Sequence, residues 1–254
     1  MELMHKHAVI TGAGSGLGAA TARRLAKAGV SVSALDLNAE AAEAIAGETG
    51  GKAYTVNVSD ENSVAQCVSA LCQDTGQPDI LVNCAGIGKA ARVVSRDNNL
   101  SVELFQQTLN INLIGSYIMM SYVAREMMNK ENRDSSREQG VIINTASVAY
   151  QDGQIGQTAY AASKAGIASL SLPAAREFSR FGIRVVAIAP GLFETAMTET
   201  LPEDTRNTIS AQIPSPPRLG FADEYAQLAE HIILNPYLNG TTIRLDGGLR
   251  LPPR

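Results

Sequence analysis

The strongest constraint on this chain is an alternation that runs almost from end to end. Short apolar runs at residues 7–11, 30–36, 53–58, 80–83, 141–145, 184–189 and 241–245 are separated by Ala-, Glu- and Lys-rich stretches such as 19–28 and 38–47. The runs are continuous in hydrophobicity, which implies burial on both faces, as in a parallel sheet. Parallel neighbours cannot be joined by a tight turn, so each connection must cross over, and the intervening composition favours helix. The expected fold class is α/β: a doubly wound, seven-stranded parallel sheet with helices on both faces.

A turn at Pro214-Ser215-Pro216-Pro217 precedes the last helical stretch, and 88–100 and 130–139 are polar and read as loops, the second solvated. No repeat or shift in composition divides the 254 residues, so a single domain, 1–254, is expected. The net charge of −4 and the absence of a basic run argue against nucleic acid and anionic membranes as partners. No apolar run reaches the roughly 18 residues of a membrane helix, and the first residues carry no apolar signal core. Cys67, Cys72 and Cys84 form no CxxC pair, and His5, His7 and His231 are scattered. Free thiols in a reducing compartment, a cytoplasmic location and no metal site are therefore expected.

Between the first run and the first helical stretch lies Thr11-Gly12-Ala13-Gly14-Ser15-Gly16-Leu17-Gly18. Glycines permit a tight turn and bring backbone amides against a pyrophosphate at the positive end of a helix. Asp36 ends the second run about twenty residues further on, where a carboxylate accepts from ribose hydroxyls. The same charge repels a 2′-phosphate. The neighbouring positions hold Ser15 and Leu37, where an arginine would favour NADP, so NAD is the expected cofactor of a Rossmann-type site.

Tyr160 and Lys164 stand four residues apart and share a helix face. A nearby lysine cation is expected to lower a tyrosine pKa by roughly 1–3 units, giving a general base for an alcohol proton. Ser147, thirteen residues before Tyr160 and just past the fifth run, is placed to hold the substrate oxygen.

The Gly12-x-x-x-Gly16-x-Gly18 loop together with Ser147, Tyr160 and Lys164 resembles the short-chain dehydrogenase/reductase family. The resemblance implies reversible hydride transfer between an alcohol and NAD, with Tyr160 as base, Ser147 on the oxygen and Lys164 on the nicotinamide ribose. It implies a fourth catalytic residue, Asn112, whose backbone and side chain order a water leading to Lys164. Asn83-Cys84-Ala85-Gly86 resembles the family's NNAG motif with Cys84 replacing an asparagine, and Asn57-Val58 stands where Asp-Val meets the adenine. Pro190-Gly191-Leu192-Phe193-Glu194-Thr195 resembles the PGxxxT segment, which places Thr195 and the Phe193 backbone near the carboxamide. The implied cofactor contacts are thus Gly12, Ser15, Gly16, Leu17, Gly18, Asp36, Asn57, Val58, Cys84, Ala85, Gly86, Tyr160, Lys164, Pro190, Phe193 and Thr195.

Within that family the segments Gly153-Gln154-Ile155-Gly156-Gln157, Pro217-Arg218-Leu219-Gly220 and Asn235-Pro236-Tyr237-Leu238-Asn239-Gly240 are similar to those of type 2 3-hydroxyacyl-CoA dehydrogenases. This implies an acyl-CoA substrate met by Ser147 and Gln157, a place in fatty acid metabolism, and a homotetramer. Alternatives are another secondary alcohol, a hydroxysteroid or a carrier-protein thioester. A non-catalytic NAD-binding sensor is disfavoured by the intact Ser147, Tyr160 and Lys164. An RNA-associated role is disfavoured by the charge.

Overall fold

Seven strands form one parallel sheet in the computed structural model, which describes residues 1–130, 138–194 and 210–253. They are β1 (His7–Thr11), β2 (Ser31–Asp36), β3 (Lys52–Thr55), β4 (Ile80–Asn83), β5 (Gly140–Thr145), β6 (Ile183–Pro190) and β7 (Thr242–Leu245). Their spatial order is β3-β2-β1-β4-β5-β6-β7, and every pairing is parallel. The winding reverses between β1 and β4, and ligands of open α/β sheets bind at such a switch point, beyond the carboxyl ends of the strands.

The described helices include α1 (Gly16–Lys27), α2 (Ala39–Thr49), α3 (Glu61–Thr75), α4 (Val102–Leu109), α5 (Gly115–Met128), α6 (Thr158–Phe178) and α7 (Ala222–Leu234). Strand side chains alternate between two cores. Ala8, Ile10, Val141, Ile143, Val186 and Ile188 pack with Ala22 and Leu25 of α1 and Tyr225 and Ile232 of α7. Val9, Leu81, Ile142 and Val185 pack on the other face with Val64 and Leu71 of α3, Met119 and Val123 of α5 and Ala175 of α6. The central strands β1, β4, β5 and β6 are buried throughout, as their unbroken apolar runs required.

The sequence pattern set β3 too long. The strand stops at Thr55, and the chain turns at Asn57, whose Oδ1 accepts from the Ser59 amide at 3.1 Å and the Ser59 hydroxyl at 2.8 Å. Such local side-chain bonds compete with a ladder. Residues 88–100 form the expected loop, closed by an antiparallel bridge between Val94 and Leu100. The solvated loop expected at 130–139 lies largely outside the described residues. Among those described, no helix is long and apolar enough to cross a membrane and no cluster of His, Cys, Asp and Glu could hold a metal ion.

Candidate active site

The glycine-rich loop is shaped by close approach. Gly12 has φ +63°, and a Cβ there would stand 2.8 Å from the Ala85 amide nitrogen at the end of β4. A Cβ on Gly18 would collide with the Gly12 carbonyl. Only glycine lets the β1–α1 turn lie against the β4 turn while opening into α1. Ser15 makes no side-chain cap to α1, and the first turn carries no acidic residue. Its amides therefore remain open for an anion.

These amides border a groove of about 480 Å³ lined by Gly12, Ser15, Gly16, Leu17, Gly18, Asp36, Asn57, Val58, Cys84, Ala85 and Gly86. The expected cofactor residues of the first half of the chain thus share one cavity. The Asp36 carboxylate is fixed at its mouth: Oδ2 accepts from Gly14 N at 2.9 Å and Oδ1 from Asn38 N at 3.0 Å. Uncapped amides fit a pyrophosphate, and an immobilised carboxylate fits ribose hydroxyls. Asn57 lines the groove as well. Its carbonyl oxygen already accepts twice from Ser59, so the amide NH₂ is the freer end.

Ser147 follows β5 and caps a short 3₁₀ turn, Val148–Tyr150, with its Oγ accepting from Ala149 N at 3.2 Å. Tyr160 and Lys164 lie one turn apart on α6, with Lys164 Nζ 5.7 Å from the Tyr160 ring centroid. With Gln154, Gln157, Pro190 and Phe193 they line a second cavity of about 290 Å³. The two cavities share Leu17, Cys84, Gly86 and Ile87, so they are halves of one cleft.

Lys164 Nζ donates to the Thr145 carbonyl oxygen at 2.7 Å, and burial lowers its pKa to about 8. Tyr160 departs from the expected downward shift. Burial pushes its phenol above the usual value, and a hydrogen bond with Ser147 partly opposes this. In the protein alone desolvation outweighs the Ser147 hydrogen bond. The sequence showed the pair's spacing but not the depth of their setting.

Asn112 lies in a π-helical turn, Asn110–Ile114, between α4 and α5. Its Oδ1 accepts from Ile87 N at 2.8 Å, and Nδ2 donates to Ile87 O at 2.9 Å and to Ser163 Oγ at 3.1 Å. The Asn112 side chain therefore clamps the backbone beyond Gly86, while the backbone carbonyl of Asn112 accepts from Ser116 Oγ at 2.7 Å. Both hydrogens of the Asn112 side-chain amide are taken by protein groups. Gln157 is likewise engaged, exchanging hydrogen bonds with Gln154 at 3.2 and 3.3 Å. Thr195 lies outside the described residues.

Sequence reasoning missed a buried trio behind Lys164. Thr145 Oγ1 lies 2.7 Å from the Tyr225 hydroxyl, and the Cys84 sulfur lies 3.6 Å from Thr145 Oγ1 and 3.7 Å from the Tyr225 hydroxyl. Burial pushes the Cys84 thiol upward, so it packs rather than reacts. Nothing local marks Thr145 or Tyr225, because their meeting depends on how α7 docks on the sheet.

A doubly wound sheet with a dinucleotide-shaped groove running into a Ser-Tyr-Lys cavity defines an oxidoreductase of CH–OH groups that uses a nicotinamide cofactor. Residues 6–206 match the family model described as short chain dehydrogenase, and the chain belongs to that family. It is 45% identical to a Homo sapiens protein named 3-hydroxyacyl-CoA dehydrogenase type-2 over 97% of this chain and 95% of that one. It is equally identical, 45%, to the Drosophila melanogaster protein of that name, over 98% of this chain and all of that one. A crystal structure of 3-hydroxyacyl-CoA dehydrogenase type-2 from Mycobacterium avium superposes with a TM-score of 0.92 at 39% identity, covering 98% of this chain and 97% of that one.

Proposed function

We propose that the protein interconverts 3-hydroxyacyl-CoA and 3-oxoacyl-CoA using NAD. The observation that carries this reading is the meeting of Ser147, Tyr160 and Lys164 in a cavity continuous with the glycine-rich groove. NAD, when bound, supplies the carbon that accepts the substrate's hydride. Tyr160 removes the hydroxyl proton, and Ser147 donates a hydrogen bond to the developing alkoxide. Lys164 contributes positive charge beside the tyrosine and binds the nicotinamide ribose. Asn112 keeps the Ile87 backbone, and with it the rim shared by both cavities, in place.

Asp36 supports NAD rather than NADP, since both its oxygens are held by backbone amides and cannot swing away from a 2′-phosphate without losing them. The acyl-CoA assignment is supported by the names of the similar proteins. It is also supported by the cations of one segment: Lys89 lines the catalytic cavity, and Arg92 and Arg96 follow it on the exposed 88–100 loop. These suit the phosphates of coenzyme A. Exposed Val102, Ile114, Tyr117 and Leu172 on and around α4, α5 and α6 support assembly, in our reading as a homotetramer. The three free cysteines suit a reducing compartment such as the cytoplasm.

The test is NADH-dependent reduction of acetoacetyl-CoA compared with the same acyl group on a short thiol and on a carrier protein. The CoA form should have the highest kcat/KM. Binding energy from the remote nucleotide orients the thioester, so truncation should lower kcat as well as affinity. Equal kcat/KM for the short thioester or the carrier-protein form would overturn the acyl-CoA reading.

A further inference from the structure

The chain beyond β7 returns to the catalytic cavity. Leu249 is fully buried with Ile213 and Leu219, and Leu251 packs on the same cluster beside Leu192. Leu251 also lines the cavity that holds Ser147 and Tyr160. Segment 249–253 thus forms a strap that brings Leu251 to the cavity wall, and none of its residues lines the cofactor groove.

Hydrogen bonds fasten the strap on both sides of Leu251. Before it, Arg244 Nη2 donates to Leu249 O at 3.0 Å, while the same guanidinium is bound to Asp152, Asp246 and Gln151. After it, Gln154 Nε2 donates to Pro252 O at 3.1 Å and Ile155 N donates to Pro253 O at 3.0 Å. Gln154 is itself oriented by Gln157, whose Oε1 accepts from Gln154 N and whose Nε2 donates to Gln154 Oε1. The two glutamines act as a buckle. Because the backbone is tied on both sides, Leu251 cannot slide away from the cavity without breaking these bonds.

We propose that Leu251, held by this buckle, closes the acyl end of the substrate cavity and sets the length of carbon chain the enzyme accepts. This rests on the acyl-substrate reading above. Ser147 and Tyr160 fix the reacting oxygen, so an apolar chain attached to that carbon must extend along the remaining wall. The apolar residues that line the cavity include Val148, Ala149, Leu192 and Leu251. An apolar wall of fixed position discriminates between chains by the methylenes it excludes, and one methylene in such a pocket is worth on the order of 10–200-fold.

The test measures kcat/KM with NADH for 3-oxoacyl-CoAs of four and eight carbons, and with NAD for 2-butanol and 2-octanol, in the wild type, L251A and L251F. The eight-to-four ratio should rise at least about tenfold in Leu251→Ala and fall in Leu251→Phe. Melting curves verify that each variant folds, and Leu251→Phe keeps an apolar residue over the Leu249 cluster should the alanine variant fail. Turnover of acyl-CoAs with a ratio unmoved in both variants would overturn the strap and leave the acyl-CoA reading standing. Turnover confined to the alcohols, with the ratio moved as expected, would overturn the acyl-CoA reading and support the strap. A wild-type protein that turns over neither series would overturn both.

Discussion

Lys164 Nζ lies 2.7 Å from the carbonyl oxygen of Thr145, and this bond ties α6 to the last residue of β5. Ser147 follows two residues later, so the groups expected to act on the substrate oxygen are braced on one strand end. Thr145 is held in turn through its hydroxyl by Tyr225 of α7, from the opposite face of the sheet. Lys164 therefore sits at the junction of both helical layers.

That placement has a cost in stability. Burial lowers the Lys164 pKa from 10.5 to about 8. Below pH 8 the amine is charged in both folded and unfolded chains, and the full desolvation penalty applies. Between pH 8 and 10.5 the unfolded chain binds more protons, so the penalty fades as pH rises. Lys164→Met should abolish most turnover yet stabilise the fold at pH 7 by up to roughly 3 kcal/mol, less the lost Thr145 bond. The gain should shrink at pH 10. Urea melts at the two pH values would check this, and a variant less stable than wild type at pH 7 would contradict it.

NAD should be preferred over NADP by at least about a hundredfold in kcat/KM, since like charges 4 Å apart repel by about 4 kcal/mol at an effective dielectric of 20. Replacing Asp36 by Ala and Leu37 by Arg should move the preference toward NADP. Leu37 is 71% exposed at the groove edge, so the arginine meets no steric obstacle. Comparable kcat/KM for the two cofactors in the wild type would refute the assignment.

Asn112→Ala should be costly for a group with no direct place on the substrate. It leaves the Ile87 N–H and C=O without their partner at the rim between the two cavities. Unpaired groups of this kind cost about 1–3 kcal/mol each, so a loss of roughly 2–4 kcal/mol is expected together with a lower kcat. Thermal melts and steady-state kinetics on one preparation would measure both.

The sheet was legible in the sequence because fully buried parallel strands leave unbroken apolar runs, as at Ile80–Asn83 and Gly140–Thr145. The groove was legible because Gly12 and Gly18 answer steric demands that no other residue meets. What stayed hidden depends on long-range packing. Gln154 and Leu251 are nearly a hundred residues apart, and no periodicity records that Pro252 O would accept from Gln154. The direction of the Tyr160 shift was hidden for the same reason, since desolvation is set by everything that surrounds a side chain rather than by its neighbour on the helix.

Ser147 is the group that offsets this desolvation, so its removal should be visible in a pH profile. Burial pushes the Tyr160 phenol up and the Ser147 hydrogen bond draws it down. With Tyr160 as the proposed base, alcohol oxidation needs the deprotonated tyrosine, so kcat/KM should rise with pH through one ionisation. In Ser147→Ala the lowering contribution is gone, and the rising limb should move to higher pH while the plateau falls, because the alkoxide also loses a donor. In Tyr160→Phe the limb should vanish, with kcat reduced on the order of 10²–10⁴ and NAD affinity within a few fold. Deuteration at the reacting carbon verifies that hydride transfer limits the rate at each pH. A Ser147→Ala limb that stays in place or moves to lower pH, with the isotope effect fully expressed, would show that the serine does not hold the tyrosine's charge.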